Sequence, residues 1–201
     1  MPKYEDGQIY HLYNHGAHRY QIFRKAAHYR RCLKLLTHYA TKYRVTVLAY
    51  CLMPNHYHIL AKQEEGGSIS RFLQTTFNAY VQYFNLLERH SGTLFQGAAK
   101  FRLIDTDDYL VRIICYIHSN PVWGSLVTNA GMWEYSDYLT WTSTSGERFA
   151  GRTLRDELFG NGRIYQRTVE SYKPQATEEP RNPRVRRRLS TRTAVLRPRT
   201  P

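Results

Sequence analysis

The segment RVTVLAYCLMPNHYHILAK, residues 44–62, decides the fold of this 201-residue chain. It contains two runs of Val, Ile, Leu and aromatic residues, which favour β-strands, on either side of Met53-Pro54-Asn55. Proline cannot continue a central strand ladder and asparagine favours turns, so this tripeptide predicts a turn. We therefore predict an antiparallel hairpin with strands over 44–52 and 56–62.

The sequence on both sides of the hairpin extends this order. Apolar residues recur at helical spacing before and after it, and Gly66-Gly67 followed by Ser68 marks the start of a long helix. Pro121 is expected to end the last of these helices. The predicted elements are a strand over 8–14, a helix over 25–43, the hairpin, a helix over 68–89, a strand over 98–104 and a helix over 105–120.

This order predicts an α+β fold of the ferredoxin-like type. A β-α-β-β-α-β chain forms an antiparallel sheet with two helices on one face. We expect the other face of the sheet to be open, with a further helix and a C-terminal helical and basic extension after the last strand. The fold class by itself does not indicate an activity.

The net charge of +13 is unevenly distributed along the chain. Residues 173–201 hold nine basic and two acidic residues and five of the eight prolines, so half of the charge lies there. Such a segment cannot bury enough apolar surface to offset the entropy of ordering, and we predict that it is disordered. We assign 1–130 to the main domain, 131–172 to a helical extension packed on it, and 173–201 to the basic tail.

Composition excludes several classes of protein. Three scattered cysteines do not form a disulfide framework, and no apolar run is long enough to span a membrane. The first residues lack the apolar stretch of a secretory signal, so a cytoplasmic protein without a membrane partner is expected. A basic chain of this kind favours nucleic acid as its partner.

Two histidines in the second hairpin strand form the sharpest local feature. His56 and His58 are separated by one residue, so both side chains leave the strand on the same face. Two neutral imidazoles in this position can bind one divalent metal ion. The alternative is a pair of surface or hydrogen-bonded histidines with no ligand role.

A second feature lies in the predicted last helix. Tyr116 and Asn120 are four residues apart, which places a phenol and an amide oxygen on one helix face. Alone, they also fit a half-buried tyrosine and an ordinary asparagine at a helix end. Together with the histidines they suit phosphoryl transfer, with three metal ligands beside a nucleophile. Imidazoles alone would suit zinc, whereas a site completed by Asn120 and phosphate oxygens suits magnesium or manganese.

These residues carry a resemblance to a known family. The run from Cys51 to Leu60 resembles the HUH motif of the single-tyrosine, IS200-like transposases, in which U is a bulky apolar residue. The run from Tyr116 to Pro121 is similar to the catalytic helix of that family. Further similarity covers roughly residues 8–160, and the single copy and basic tail look most like the REP-associated tyrosine transposases. Tyr57 is a more polar U residue than usual, and small residues follow Gly97 where relatives carry larger or basic ones.

The resemblance implies an activity and a role for each residue. Members cleave and rejoin single-stranded DNA, often at hairpins, with Mg²⁺ or Mn²⁺, through a tyrosine linked to a 5′-phosphate. In this sequence Tyr116 would be the nucleophile, and His56, His58 and Asn120 would be the metal ligands. The resemblance also implies a nucleoid-associated protein that acts as a monomer or a homodimer.

Basic side chains outside this set are candidates for phosphate contacts, each with the alternative of an ordinary solvated charge. The tail residues among them would bind DNA through charge alone. The candidates are Arg19, Arg24, Arg71, Lys100, Arg102, Arg186, Arg187 and Arg188.

Two other functions remain open at this stage. A non-catalytic module that binds single-stranded nucleic acid on an open sheet face, as RNA-recognition domains do, would explain the charge and the fold. It leaves the coincidence of His56, His58, Tyr116 and Asn120 unexplained. A zinc hydrolase would use the histidines, but no carboxylate or third histidine lies at a suitable spacing.

Overall fold

The computed structural model of the chain describes residues 4–143 and 151–174. The element order confirms the predicted β-α-β-β-α-β arrangement, followed by a third helix and shorter helices. The elements are β1 (Ile9–His15), a 3-10 turn (Ala17–Arg19), α1 (Ala26–Lys42), β2 (Val45–Met53), β3 (His56–Gln63), α2 (Ile69–Glu88), β4 (Lys100–Ile104), α3 (Asp107–Trp123), a second 3-10 turn (Ala130–Met132), α4 (Tyr138–Thr142), α5 (Gly151–Phe159) and α6 (Gly162–Ser171).

The four strands form one antiparallel sheet in the order β2-β3-β1-β4. The two strands of the predicted hairpin pair with each other, and β1 lies between β3 and β4. This order places β3 and β1 in the centre, where both strand edges are paired. Side chains on these two strands therefore have the most fixed positions in the sheet. The strand order confirms the ferredoxin-like fold.

One face of the sheet is covered by α1 and α2. Apolar side chains of alternating strand positions, such as Leu12, Leu52 and Ile59, pack there in one continuous core. Tyr57 belongs to this core, and its ring stacks on Phe77 of α2 with the ring centroids 4.2 Å apart. The side chain between the two histidines is thus an anchor for the strand, on the opposite face from them.

The expectation that the other face is open was wrong. In the β2–β3 half of the sheet, Ala49, Cys51 and Leu60 form a second core with α3, α4, α5 and α6. These side chains are small or apolar, and leaving them in water would cost about 25 cal/mol for each Å² exposed. The third helix and the segments after it provide the cover, so the fold has helices on both faces.

The expectation that Pro121 ends α3 was also wrong, because the helix continues to Trp123. Proline removes one N–H group, but the backbone N–H of Gly124 still donates to the carbonyl of Asn120 at 2.8 Å. The N–H of Leu126 donates to the carbonyl of Pro121 at 2.9 Å. One missing bond in a last turn that is otherwise bonded does not stop the helix.

A buried polar network ties α3 to the segments that follow it. Each ring nitrogen of His118 forms a hydrogen bond. Nε2 lies 2.8 Å from the carboxylate of Asp137, and Nδ1 lies 2.6 Å from the hydroxyl of Tyr165. The same carboxylate accepts from the backbone N–H of Tyr50 at 2.7 Å and from the indole N–H of Trp141 at 3.0 Å. His118 therefore points away from Tyr116, as its position on the helix predicts.

The basic tail lies outside the described residues apart from its first two positions, so its predicted disorder and the domain boundaries stay predictions. None of the helices that the structure describes combines the length and the apolar character of a membrane span.

Candidate active site

The two histidines of the HUH-like segment lie side by side on the central strand β3. Strand β1 runs antiparallel beside them, with Tyr13 opposite His58 and His15 opposite His56. The imidazole centroids of His56 and His58 are 5.0 Å apart. His58 is fully buried, whereas His56, the first residue of the strand, is partly exposed. The site therefore has a closed end at His58 and an accessible end at the hairpin turn.

Helix α3 crosses over this pair and brings its tyrosine and asparagine to them. Tyr116 packs edge-on against His58 with the ring centroids 5.2 Å apart. One turn later, the Oδ1 atom of Asn120 lies 3.1 Å from Nε2 of His56. The structure thus brings together all four residues that the sequence singled out, although residues 59–115 lie between the two pairs.

The surroundings of His58 fit a metal ligand. Burial lowers its pKa well below the ordinary value, so the ring is neutral at pH 7. Its Nδ1 atom is hydrogen bonded to Nε2 of His11 at 2.9 Å. Its Nε2 atom is buried and has no hydrogen-bond partner in the described part of the chain. When Nδ1–H donates to His11, the lone pair of Nε2 is left free for a cation.

The contacts of His56 fit the same role. Burial lowers the pKa of His56 to about 4, so this ring also carries only one N–H. Both ring nitrogens nevertheless face an amide oxygen, that of Asn55 at 2.7 Å and that of Asn120 at 3.1 Å. One of these contacts therefore sets a lone pair against a lone pair. The separation of His56 Nε2 and Asn120 Oδ1 also suits metal binding. Two ligand atoms about 3 Å apart match neighbouring positions around an octahedral ion with bonds of about 2.1 Å.

The donor set consists of two imidazoles and one amide oxygen. In residues 4–143 and 151–174, no three His, Cys, Asp or Glu side chains are grouped so that they could hold a metal ion. A bound ion would therefore keep its full charge, which favours phosphate oxygens as further ligands.

Two histidines of β1 border the site, and the sequence reasoning gave them no role. His11 is fully enclosed, and burial, with the charge of Arg102 as a second cause, lowers its pKa to about 3. His15 lies beside His56, with ring centroids 5.2 Å apart. The sequence shows that His11 and His15 are four residues apart and therefore share a face of β1. It does not show the register that places them beside β3.

Three of the basic residues that are candidates for phosphate contacts lie on the same side of the sheet as the site. Lys100 and Arg102 of β4 are opposite Tyr13 and His11 in the sheet, so their side chains share the face of the histidines. Arg19 is close enough to His15 for its charge, after burial and the charge of Lys100, to lower that pKa. The guanidinium of Arg102 lies 4.5 Å from the ring centroid of Tyr109 at the start of α3.

Of the other candidates, Arg24 and Arg71 are not brought to the site. Arg24 forms a salt bridge of 2.8 Å with Glu88, and Arg71 is exposed on α2, in the helix layer on the opposite face. Arg186, Arg187 and Arg188 lie outside the described residues.

The fold and the site together define a class of protein. A pair of histidines on the central strand of a ferredoxin-like sheet, below a helix that carries a tyrosine and an amide, is the layout that the resemblance to the single-tyrosine transposases predicts. Comparison with protein families gives the assignment: residues 6–120 match the model described as "Transposase IS200 like". The chain belongs to this family of transposases, and the match ends at Asn120.

A solved structure supports the fold, and a second one is reported beside it. The structure of a REP-associated tyrosine transposase bound to a REP hairpin is similar over 75% of this chain and 96% of that chain, with 17% identity and a TM-score of 0.56. A protein from Deinococcus radiodurans R1, described as a candidate transposase, is similar over 55% of this chain and 91% of that chain, with 18% identity and a TM-score of 0.42. No curated protein is significantly similar in sequence to the chain.

Proposed function

We propose that the protein is a single-stranded DNA endonuclease and strand transferase that cuts and rejoins DNA at or beside hairpins, through a 5′-phosphotyrosine intermediate. The observation that carries this proposal is the meeting of Tyr116, His56, His58 and Asn120 in one place. Family membership supports a transposase. The hairpin in the similar REP-associated structure supports the choice of substrate.

The reaction is a transesterification at phosphorus. The Tyr116 oxygen loses its proton and forms a bond to the phosphorus atom, and the bond from phosphorus to the 3′-oxygen breaks. The released 3′-oxygen takes up a proton, and the downstream strand remains attached to Tyr116 by its 5′-phosphate. Because one phosphate ester replaces another, attack by a 3′-hydroxyl reverses the step and joins strands without a nucleotide cofactor.

His56, His58 and Asn120 would hold Mg²⁺ or Mn²⁺, which supplies a positive charge to the phosphate as negative charge builds up on it. The chain itself contributes position: β3 fixes the two imidazoles, and α3 fixes Tyr116 and Asn120 above them. Arg19, Lys100 and Arg102 would hold the phosphates of the flanking strand. We further propose that the protein works at the nucleoid in the cytoplasm.

A binding module with an open sheet is the weaker alternative. In the described part of the chain, α3 and the helices after it cover the β2–β3 half of the second sheet face. That cover leaves only the β1–β4 half for bases to stack on the sheet.

The test of the proposal is a covalent adduct on a denaturing gel. Single-stranded hairpins from the palindromes that flank the gene are incubated with protein and Mg²⁺, Mn²⁺ or chelator. We expect an adduct with metal, none with chelator, and recovery when Mn²⁺ is added back. A label at the 3′ end should travel with the protein, and a label at the 5′ end should appear in a shorter free strand. Tight binding without an adduct on any hairpin would favour the binding module instead.

His11 should act as a positioning residue for His58. Because His11 holds Nδ1 of His58 at 2.9 Å, it orients Nε2 toward the site. Removing such a partner typically weakens metal affinity about 10- to 100-fold. We expect His11→Leu to raise the Mn²⁺ concentration for half-maximal adduct by about that factor, with adduct formation restored at saturating metal.

A glutamine at position 11 places an oxygen near the former Nε2 atom. His11→Gln should therefore recover most of the metal affinity, which a purely structural role would not predict. His38→Leu on the exposed side of α1 is the matched control and should leave the metal titration unchanged. Equal metal dependence of His11→Leu and the wild type would contradict this role.

A further inference from the structure

Trp123 is a large apolar side chain left in water at the end of α3. It is 55% exposed, whereas Trp141 is fully buried and Trp133 is partly buried. An exposed tryptophan beside a charged or polar site is common where a flat partner stacks on the ring. Its position on the helix indicates which partner that is.

The helix places Trp123 in line with the nucleophile. Seven residues separate it from Tyr116, which amounts to about 20° around the helix axis and about 10 Å along it. Trp123 therefore leaves α3 on the same side as Tyr116. This geometry exists only because α3 continues through Pro121 to Trp123.

The sheet ends before it reaches Trp123. Tyr116 lies over His58 and Asn120 lies over His56, which is the first residue of β3. The two hairpin strands end at Met53 and begin at His56, so among the described residues neither strand extends one further turn along α3. The end of α3 packs closely on the hairpin. A Cβ added at Gly124 would lie only 2.9 Å from the methyl group of Met53.

Trp123 also lies at the accessible end of the site. The exposed fraction rises from none at His58 to partial exposure at His56 and Asn55. The hairpin end, toward which α3 carries Trp123, is therefore an accessible route for a strand whose phosphate reaches Tyr116. The basic residues of this face, with Arg19 and Lys100 near His15 and Arg102 opposite His11, favour a polyanion over an apolar partner.

We propose that Trp123 is a stacking platform for an unpaired base of the DNA strand next to the cleaved phosphate. This inference rests on the proposed function, because the proposed function places the cleaved phosphate at Tyr116. A stacked strand rises about 3.4 Å per nucleotide, so the base lies within about three nucleotides of the phosphate at Tyr116. Each stacked base contributes binding free energy that depends little on its identity, so the contact adds affinity without base-sequence specificity.

Tryptophan fluorescence tests the inference, because the chain has only three tryptophans. Full-length Tyr116→Phe protein is titrated with labelled oligothymidylate, so that binding is measured without cleavage. We expect quenching that disappears in Trp123→Phe, although binding followed by anisotropy persists. Trp123→Ala should weaken binding about 5- to 150-fold. Leu139→Ala, which removes an equally exposed apolar side chain from α4, should bind like the parent.

The outcomes separate this inference from the proposed function. Quenching that survives in Trp123→Phe, or unchanged affinity in Trp123→Ala, would overturn the stacking role. A dimer that forms without DNA and dissociates in Trp123→Ala would show that the ring binds a second copy, which also overturns it. Quenching and weakened binding as expected, combined with no adduct from the wild type on any hairpin, would refute the cleavage chemistry and leave the stacking platform in place.

Discussion

We expect Tyr116→Phe protein to form no covalent adduct with single-stranded DNA and to bind it as tightly as the wild type. The substitution removes one oxygen, the only nucleophile that α3 presents to His58, and leaves the ring that packs on it. Loss of a nucleophile lowers the rate of such a reaction by at least about 10³-fold. Adduct yield on a denaturing gel measures the loss, and anisotropy of a labelled strand measures binding.

Two other tyrosines provide controls for this prediction. Tyr57 lies between the histidines in sequence, but its ring is buried on the opposite face against Phe77, so Tyr57→Phe should keep full activity. Tyr13 is on the same face as the histidines, with its ring centroid 6.0 Å from that of His58. If the adduct survives in Tyr116→Phe and is lost in Tyr13→Phe, then Tyr13 is the nucleophile and our assignment is wrong.

Asp137→Ala should cost a large part of the stability of the fold. The carboxylate is buried and takes part in three hydrogen bonds, with His118, Tyr50 and Trp141. Its removal leaves buried polar groups without a partner, and the loss of one member of such a network typically costs about 3–5 kcal/mol. A domain has only about 5–15 kcal/mol in total, so urea unfolding should shift to much lower concentration.

Asp105 provides the matched control. It is an exposed aspartate just after β4, and Asp105→Ala should change the free energy of unfolding by less than about 0.5 kcal/mol. Asp137→Asn keeps an acceptor for Tyr50 and should fall between the wild type and Asp137→Ala. A loss below about 1 kcal/mol in Asp137→Ala would contradict the network as a stabilising element.

Local sequence patterns predicted the elements and two halves of the site. The strand-forming runs on either side of Met53-Pro54-Asn55 predicted the hairpin, and strand spacing predicted that His56 and His58 share a face. Helical spacing predicted the common face of Tyr116 and Asn120. Each of these relations spans only a few residues. The structure confirms them because they depend on backbone geometry alone.

Relations between distant segments could not be read in this way. His11 and His58 are 47 residues apart, and only the register of β1 against β3 makes them neighbours. The extension of α3 beyond Pro121 depends on N–H groups donated by Gly124 and Leu126. Similarly, the cover on the second sheet face comes from α3 and the helices after it, and local spacing does not show which strands these helices meet.

The position of α3 between two layers has a consequence for how the protein can be divided. The family match stops at Asn120, but the outer side of α3 packs on Trp141, Tyr165 and Val169. We expect a fragment trimmed to the matched region to expose an apolar helix flank and to be prone to aggregation. We therefore expect the smallest autonomous unit to extend through α6, because its length depends on the residues that shield the helix and not on the residues that react.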